Sequence, residues 1–217
     1  MEQREASRIY AVVEAGAGAD ARLSAALAAA EVSSVLIVPA GPAGLDHSLA
    51  APLAALAQKA GAAALVPDDP ELARSVGADG VHLAAARDLA GAYALARASL
   101  GARGIVGVDP GVSRHEAMTL AEAGADYVAF GAPAHLKDRA KARVRRDELV
   151  AWWAEIFEVP CVAFDVETAE EARTLAAMGA DFIAVRLSAG LSPAAAGALV
   201  AEVARALAAS AGADQGT

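Results

Sequence analysis

The sequence predicts an α/β chain folded as a single-domain (β/α)8 TIM barrel, and three observations predict it. The first is a phrase that recurs three times, in LARSVGADGVHLA at 72–84, LAEAGADYVAFG at 120–131 and LAAMGADFIAVR at 175–186. Each copy is the tail of an apolar helix, then Gly-Ala-Asp, then a short strand. Gly77, Gly124 and Gly179 fall where a helix must end, because glycine enters the left-handed conformation without a Cβ clash. The second is an alternation of strand-like and helical segments along the whole chain. The third is length: 217 residues leave about 27 per β/α unit, enough for a compact barrel with short loops.

Strands are expected at 9–13, 35–38, 63–66, 80–83, 105–108, 127–130, 161–164 and 182–185, all short apolar runs suited to a buried parallel sheet. The helices between them are expected to begin near Asp20, Asp46, Pro70, Asp88, Ser113, Arg146, Thr168 and Ser192. Ser113 with Glu116, and Thr168 with Glu171, have capping-box spacing. Ser192-Pro193 pairs an N-cap with proline at the first helical position, where its missing N–H costs nothing. The barrel is expected over 1–209, and SAGADQGT at 210–217 reads as a disordered tail. A doubly wound sheet is the rival fold. Gly16 to Ala21 spells G-x-G-x-x-A after the first strand, but the second strand ends in Val38-Pro39-Ala40, with no acid to hold a ribose.

Apolar residues make up 56% of the chain, and much of that share is alanine, the best helix former. A net charge of −9 and an aromatic content of 4% argue against a nucleic-acid or acidic-membrane partner. MEQREASRIY lacks the apolar stretch of a signal peptide, and no apolar run is long enough to span a bilayer. Cys161, the single cysteine, lies in the strand-like VPCVAF and reads as a buried reduced thiol. The expected setting is the cytoplasm, with a small phosphorylated substrate as partner and a homo-oligomer left open.

In a barrel the chemistry lies where strands end. Asp68 and Asp69 follow the third strand, either as ligands for a hard cation such as Mg²⁺ or as caps of the next helix. His82 lies within the fourth strand, where a packed core histidine is the plainer reading. His47, His115 and His135 form no metal or nucleophile pattern with Cys161. The stretch 137–146 carries six Lys or Arg in an acidic protein. It follows the sixth strand, where it is either an anion-attracting loop at the mouth or a solvated loop and helix start. Ser188, Gly190 and the helix start at Ser192 follow the eighth strand, where barrels commonly bind phosphate.

Across about 9–207, the chain resembles the thiamine phosphate synthase family and its relative TenI, the thiazole tautomerase. The resemblance is carried by LVPDDPELARSVGADGVHLA at 65–84, GIVGV with EAMTLAEAGADYVAFG within 104–131, and GADFIAV at 179–185. It implies a transferase that joins a pyrimidine methyl diphosphate to a thiazole phosphate, with Mg²⁺ and basic groups stabilising the departing pyrophosphate. It also implies Asp68 as a magnesium ligand, Asp88 as a second after a one-residue shift, and Lys137 or Lys141 as the catalytic cation. The phosphate contacts expected beside them are Gly131, Arg139, Ser188 and Gly190. Several family positions differ. The glycine and glutamine after His-Leu are Ala84 and Ala85, the Ser-x-His after strand five is Asp109-Pro110-Gly111, and the Gly-Gly after strand seven is Phe164-Asp165. A barrel that binds a phosphometabolite or a partner without catalysis is the alternative.

Overall fold

The apolar runs form eight strands, and the alanine-rich segments between them form eight helices that cover the strands from outside. The computed structural model describes residues 6–213 apart from 43, 134 and 135. The strands are β1 (Arg8–Ala15), β2 (Ser34–Pro39), β3 (Ala63–Pro67), β4 (Gly80–Leu83), β5 (Ile105–Val108), β6 (Tyr127–Phe130), β7 (Cys161–Ala163) and β8 (Phe182–Leu187). The helices are α1 (Ala19–Ala29), α2 (His47–Lys59), α3 (Pro70–Val76), α4 (Leu89–Leu100), α5 (Arg114–Glu122), α6 (Arg139–Ile156), α7 (Ala169–Ala177) and α8 (Pro193–Ala213). Every strand is parallel to its neighbours, and β8 returns to pair with β1, closing the barrel.

The recurring phrase ties the N-terminal face together. In each copy the glycine has positive φ (68°, 97° and 99° at Gly77, Gly124 and Gly179). The alanine after it donates back to the helix, Ala78 to Ala73, Ala125 to Leu120 and Ala180 to Leu175. The aspartate then clamps the start of the preceding strand. The Oδ2 atoms of Asp79, Asp126 and Asp181 accept from the N–H of Ala64 (2.7 Å), Val106 (2.7 Å) and Cys161 (2.8 Å). The N–H of the same aspartates donates to the carbonyls of those three residues. One side chain thus fixes the register of two neighbouring strands at the end of the barrel away from the mouth.

Side chains alternate inward and outward along each strand. Inside the barrel lie Tyr10, Val12, Leu36, Leu65, Tyr127, Ala129, Val162 and Ala184, and the larger outer core packs strands against helices. A cavity of about 170 Å³ opens at the N-terminal end of this interior, between Tyr10, Leu65, Tyr127, Val162 and Phe182. Among the described residues no helix is long and apolar enough to cross a membrane.

Two boundaries differ from expectation. Helix α6 begins at Arg139 instead of near Arg146, so all of the basic stretch after Asp138 forms its first turns, with Lys137 just ahead of it. Asp138 starts it by accepting from the Lys141 N–H at 3.0 Å, and the Arg, Lys and Ala that follow are good helix formers. Helix α8 continues past Ala209 to Ala213, while 214–217, like His135, lie outside the described residues.

Candidate active site at the C-terminal mouth

The inward positions of β1 run Tyr10, Val12, Glu14, and those of β8 run Phe182, Ala184, Arg186, so alternation delivers Glu14 and Arg186 to the mouth. They meet there. Glu14 Oε1 accepts from Arg186 Nε at 2.8 Å, and Oε2 accepts from the Ala189 N–H at 2.8 Å. Burial raises the Glu14 carboxyl, but the Ala189 N–H and Arg186 outweigh it and hold it below its ordinary value. Beneath them Arg22, from the first turns of α1, is buried and donates to the carbonyls of Glu14 (2.8 Å) and Ala17 (3.0 Å). Its Nε is buried with no hydrogen-bond partner among the described residues.

The floor of the mouth is aromatic. Tyr10 and Tyr127 share a hydrogen bond of 2.8 Å, and Tyr127 Oη lies 3.0 Å from His82 Nδ1. Phe164 turns inward, its ring stacked on His82 at 5.0 Å and edge-on to Tyr10 at 5.4 Å. Burial lowers the His82 pKa to about 4, so the ring is neutral at pH 7, and burial raises the Tyr10 and Tyr127 hydroxyls. Tyr127 fits because β5 has a glycine opposite: a Cβ on Gly107 would come within 1.9 Å of the tyrosine ring.

Around this floor stand carboxylates. Among the described residues, the non-glycine residues with positive φ are Asp68 (55°) and Asp165 (57°), both at strand ends on the mouth. Strained backbone of this kind gathers at functional sites. Asp68 ties β3 to β4: its N–H donates to the His82 carbonyl at 3.0 Å and its Oδ1 accepts from the Ala84 N–H at 2.7 Å. Asp165 Oδ2 accepts from the Ala132 N–H at 3.0 Å and lies so close to Gly131 that a Cβ there would stand 2.8 Å from it. Asp109, after β5, accepts from the Gly111 N–H at 2.7 Å. Burial, with smaller additions from the charges of Asp165 and Glu116, raises the Asp109 carboxyl to about 6.

The other expected site residues are distributed unevenly. Asp69 caps α3 through the Leu72 N–H, and Asp88 caps α4 through the Gly91 N–H. No group of three or more His, Cys, Asp or Glu able to hold a metal ion occurs among the described residues. Arg139 pairs with Glu167 at 2.6 Å, Arg143 pairs with the same carboxylate, and buried Arg146 holds Glu171 (2.6 Å) and Asp147 (2.8 Å). Lys137 and Lys141 are exposed and in no ion pair among the described residues. The Ser188 carbonyl accepts from the Leu191 N–H at 3.0 Å, shaping the turn through exposed Gly190, and Ser192 caps α8.

No local pattern in the sequence joins Glu14 to Arg186, 172 residues away. Nothing local marks Arg22, which looks like any arginine near a helix start. The left-handed backbone of Asp68 and Asp165 has no signature in residue type alone.

A protein-family model described as thiamine monophosphate synthase matches residues 9–189, from β1 through β8. A thiamine-phosphate synthase of Erythrobacter litoralis (strain HTCC2594) is 43% identical over 139 residues, covering 63% of this chain and 64% of the relative. That of Hyphomonas neptunium (strain ATCC 15444) is 38% identical over 168 residues, 75% of each. The chain thus spans less than two thirds of the first relative's length and three quarters of the second's. Among solved structures, a thiamine phosphate pyrophosphorylase from Pyrococcus furiosus superposes with a TM-score of 0.72 at 20% identity, covering 94% of this chain and 96% of the other. The last likeness supports the fold, and the sequence matches establish kinship: the chain belongs to the thiamine monophosphate synthase family.

Proposed function

We propose that this barrel joins a pyrimidine methyl diphosphate to a thiazole phosphate, forming the carbon–nitrogen bond of thiamine phosphate. The observation that carries the reading is the family match across all eight strands. In the reaction the thiazole nitrogen attacks the pyrimidine methylene carbon while the bond from that carbon to the diphosphate oxygen breaks. The pyrophosphate leaves with the electron pair, and positive charge passes through the methylene to the thiazolium product. The chain contributes electrostatics and positioning.

The exposed ammonium groups of Lys137, just before α6, and Lys141, in its first turn, which form no ion pair among the described residues, are assigned to the diphosphate. Arg139 is less suited, since Glu167 already holds it. Asp68 offers one carboxylate oxygen beyond the one bound to Ala84. That suits a magnesium ion held by one carboxylate and the substrate's phosphates, and a cage made by the protein alone is not supported by this donor set. Such an ion would supply positive charge to the departing pyrophosphate. Asp88, as the cap of α4, is left out of this set. The Ser188–Gly190 turn and Gly131 border the other substrate. The aromatic floor of His82, Tyr127 and Phe164 keeps water from the reacting carbon. This reading implies a cytoplasmic enzyme of small phosphorylated substrates, with neither nucleic acid nor membrane as partner.

The test is thiamine phosphate formation by purified protein with both substrates and Mg²⁺, run beside Asp68→Asn. Asparagine tolerates the left-handed backbone and keeps the bond to Ala84 while removing the charge. Turnover that falls by roughly 10²–10³-fold in the variant supports the reading. A folded wild-type protein that releases no pyrophosphate overturns it.

A further inference from the structure

Three carboxylates at the mouth, Asp68 after β3, Asp109 after β5 and Asp165 after β7, are bound to backbone N–H groups and enter no ion pair among the described residues. The seam between β8 and β1 has the opposite balance. Arg186 and Arg22 share one carboxylate there, that of Glu14. Two guanidinium groups against one carboxylate leave one positive charge, in a chain whose net charge is −9. Arg22 is buried and donates to the carbonyls of Glu14, Ala17 and Ala189, so it adds charge from beneath.

Arg186 is the member of this cluster that reaches outward. It occupies an inward position of β8, yet its side chain is 55% exposed. Its Nε and Nη2 both lie 2.8 Å from Glu14 Oε1, which leaves Nη1 and the second N–H of Nη2 without a partner among the described residues. Such a pair of N–H groups meets two oxygens of a phosphate side by side. Glu14 fixes the fork, and through Oε2 it also fixes the turn after β8 by the Ala189 N–H at 2.8 Å. The next N–H, that of Gly190, has no partner among the described residues, and nothing stands within 4 Å of where a Cβ on Gly190 would be. An exposed ion pair adds little to stability by itself. A cation held open beside an empty turn is better suited to a ligand.

We propose that Arg186, positioned by Glu14, reads the phosphate of the acceptor, the thiazole phosphate, at the seam between β8 and β1. The inference rests on the synthase reading for the identity of the acceptor. Nη1 and Nη2 take two phosphate oxygens, and the Gly190 N–H is the backbone donor beside them. The diphosphate of the other substrate belongs to Lys137 and Lys141 after β6, so the two anions meet the barrel at separate strands.

The experiment is a calorimetric titration of the wild-type protein, Arg186→Gln and Arg186→Lys with the thiazole phosphate and with the corresponding thiazole alcohol. Wild-type protein is expected to bind the phosphate roughly tenfold or more tightly than the alcohol. Arg186→Gln should lose about that factor for the phosphate and bind the alcohol as the wild type does. Lysine keeps the charge but not the fork, so Arg186→Lys should fall between the two. A residue that only closes the seam would move both ligands together, so equal losses for phosphate and alcohol overturn the proposal. A wild-type protein that does not prefer the phosphate, or binds neither ligand, also overturns it, as does a phosphate affinity unchanged in the folded variants. Should Arg186→Gln fail to fold, the lysine variant is read by the same comparison. The titration needs no turnover. A protein that binds the phosphate through Arg186 yet releases no pyrophosphate loses the synthase reading alone, and one that turns over with a phosphate affinity indifferent to Arg186 loses only this inference.

Discussion

Asp109 shows at the scale of one residue how the mouth is held at a cost in stability. Its carboxyl ionises near pH 3.8 in the unfolded chain and at about 6 in the fold, chiefly because burial disfavours the charge. Between these values the folded state keeps a proton that the unfolded state has lost, so stability falls as pH rises from about 4 to about 6. Above that window the cost is fully present, on the order of 2–3 kcal/mol for a shift of about two units. Asp109→Asn should therefore raise Tm at pH 7.5 by roughly 5–10 °C, since the amide oxygen can still accept from Gly111. The gain should vanish at pH 4, where the wild-type carboxyl is protonated in the fold. A Tm difference independent of pH between these two values would show that burial of the charge is not the cause. An acid kept at such expense in a cleft is the pattern expected of a working residue, and the variant should lose activity as it gains stability.

At the scale of elements, what was legible in the sequence divides along the range of the interactions. The strand cores, most of the helix starts and the Gly-Ala-Asp turns could be read because each is fixed by a few neighbouring residues: a cap, a left-handed glycine, an apolar run. The start of α6 could not. Its lysines and arginines together fall mainly at alternate positions, which reads as a loop, until Glu167 and Glu171 of the next unit pair with Arg139, Arg143 and Arg146. The Glu14–Arg186 pair spans 172 residues and is brought together only by barrel closure. Helix α6 is locked to α7 mainly by Arg146, whose side chain is fully buried and which also donates to the carbonyls of Phe164 and Asp165. Removing one carboxylate leaves a buried guanidinium short of its counter-charge, the costly way to break such a pair. Glu171→Ala should cost about 3 kcal/mol and lower the urea midpoint accordingly. Its effect should exceed that of Glu170→Ala, which loses only an exposed pair with Arg173. Equal costs for the two variants would mean that Asp147 alone satisfies Arg146.

At the scale of the whole molecule, the alanine content has a mechanical reason. Eight helices must surround a ring of eight short strands with little chain to spare, and small side chains let helices approach one another and the sheet closely. The demand is greatest at the seam where the last unit meets the first, because β8 pairs with β1 and α8 packs on α1. There Gly197 of α8 lies so near α1 that a Cβ would stand 3.0 Å from the Ala25 carbonyl oxygen. Both partners are backbone-stiff, so a larger side chain cannot be accommodated by a rotamer change and must push the helices apart. Gly197→Leu should destabilise the fold by about 1–3 kcal/mol despite leucine's better helix propensity, seen as a lower urea midpoint with an unchanged slope. Because β1 and β8 carry Glu14 and Arg186, the same wedge should also loosen the mouth, and affinity for the acceptor should fall in a variant that is still fully folded at 25 °C. The same leucine at exposed Ala208, three turns further along α8, gives the comparison. A Gly197 variant no less stable than that control, with acceptor binding unchanged, would show that closure of the seam and shape of the mouth are independent.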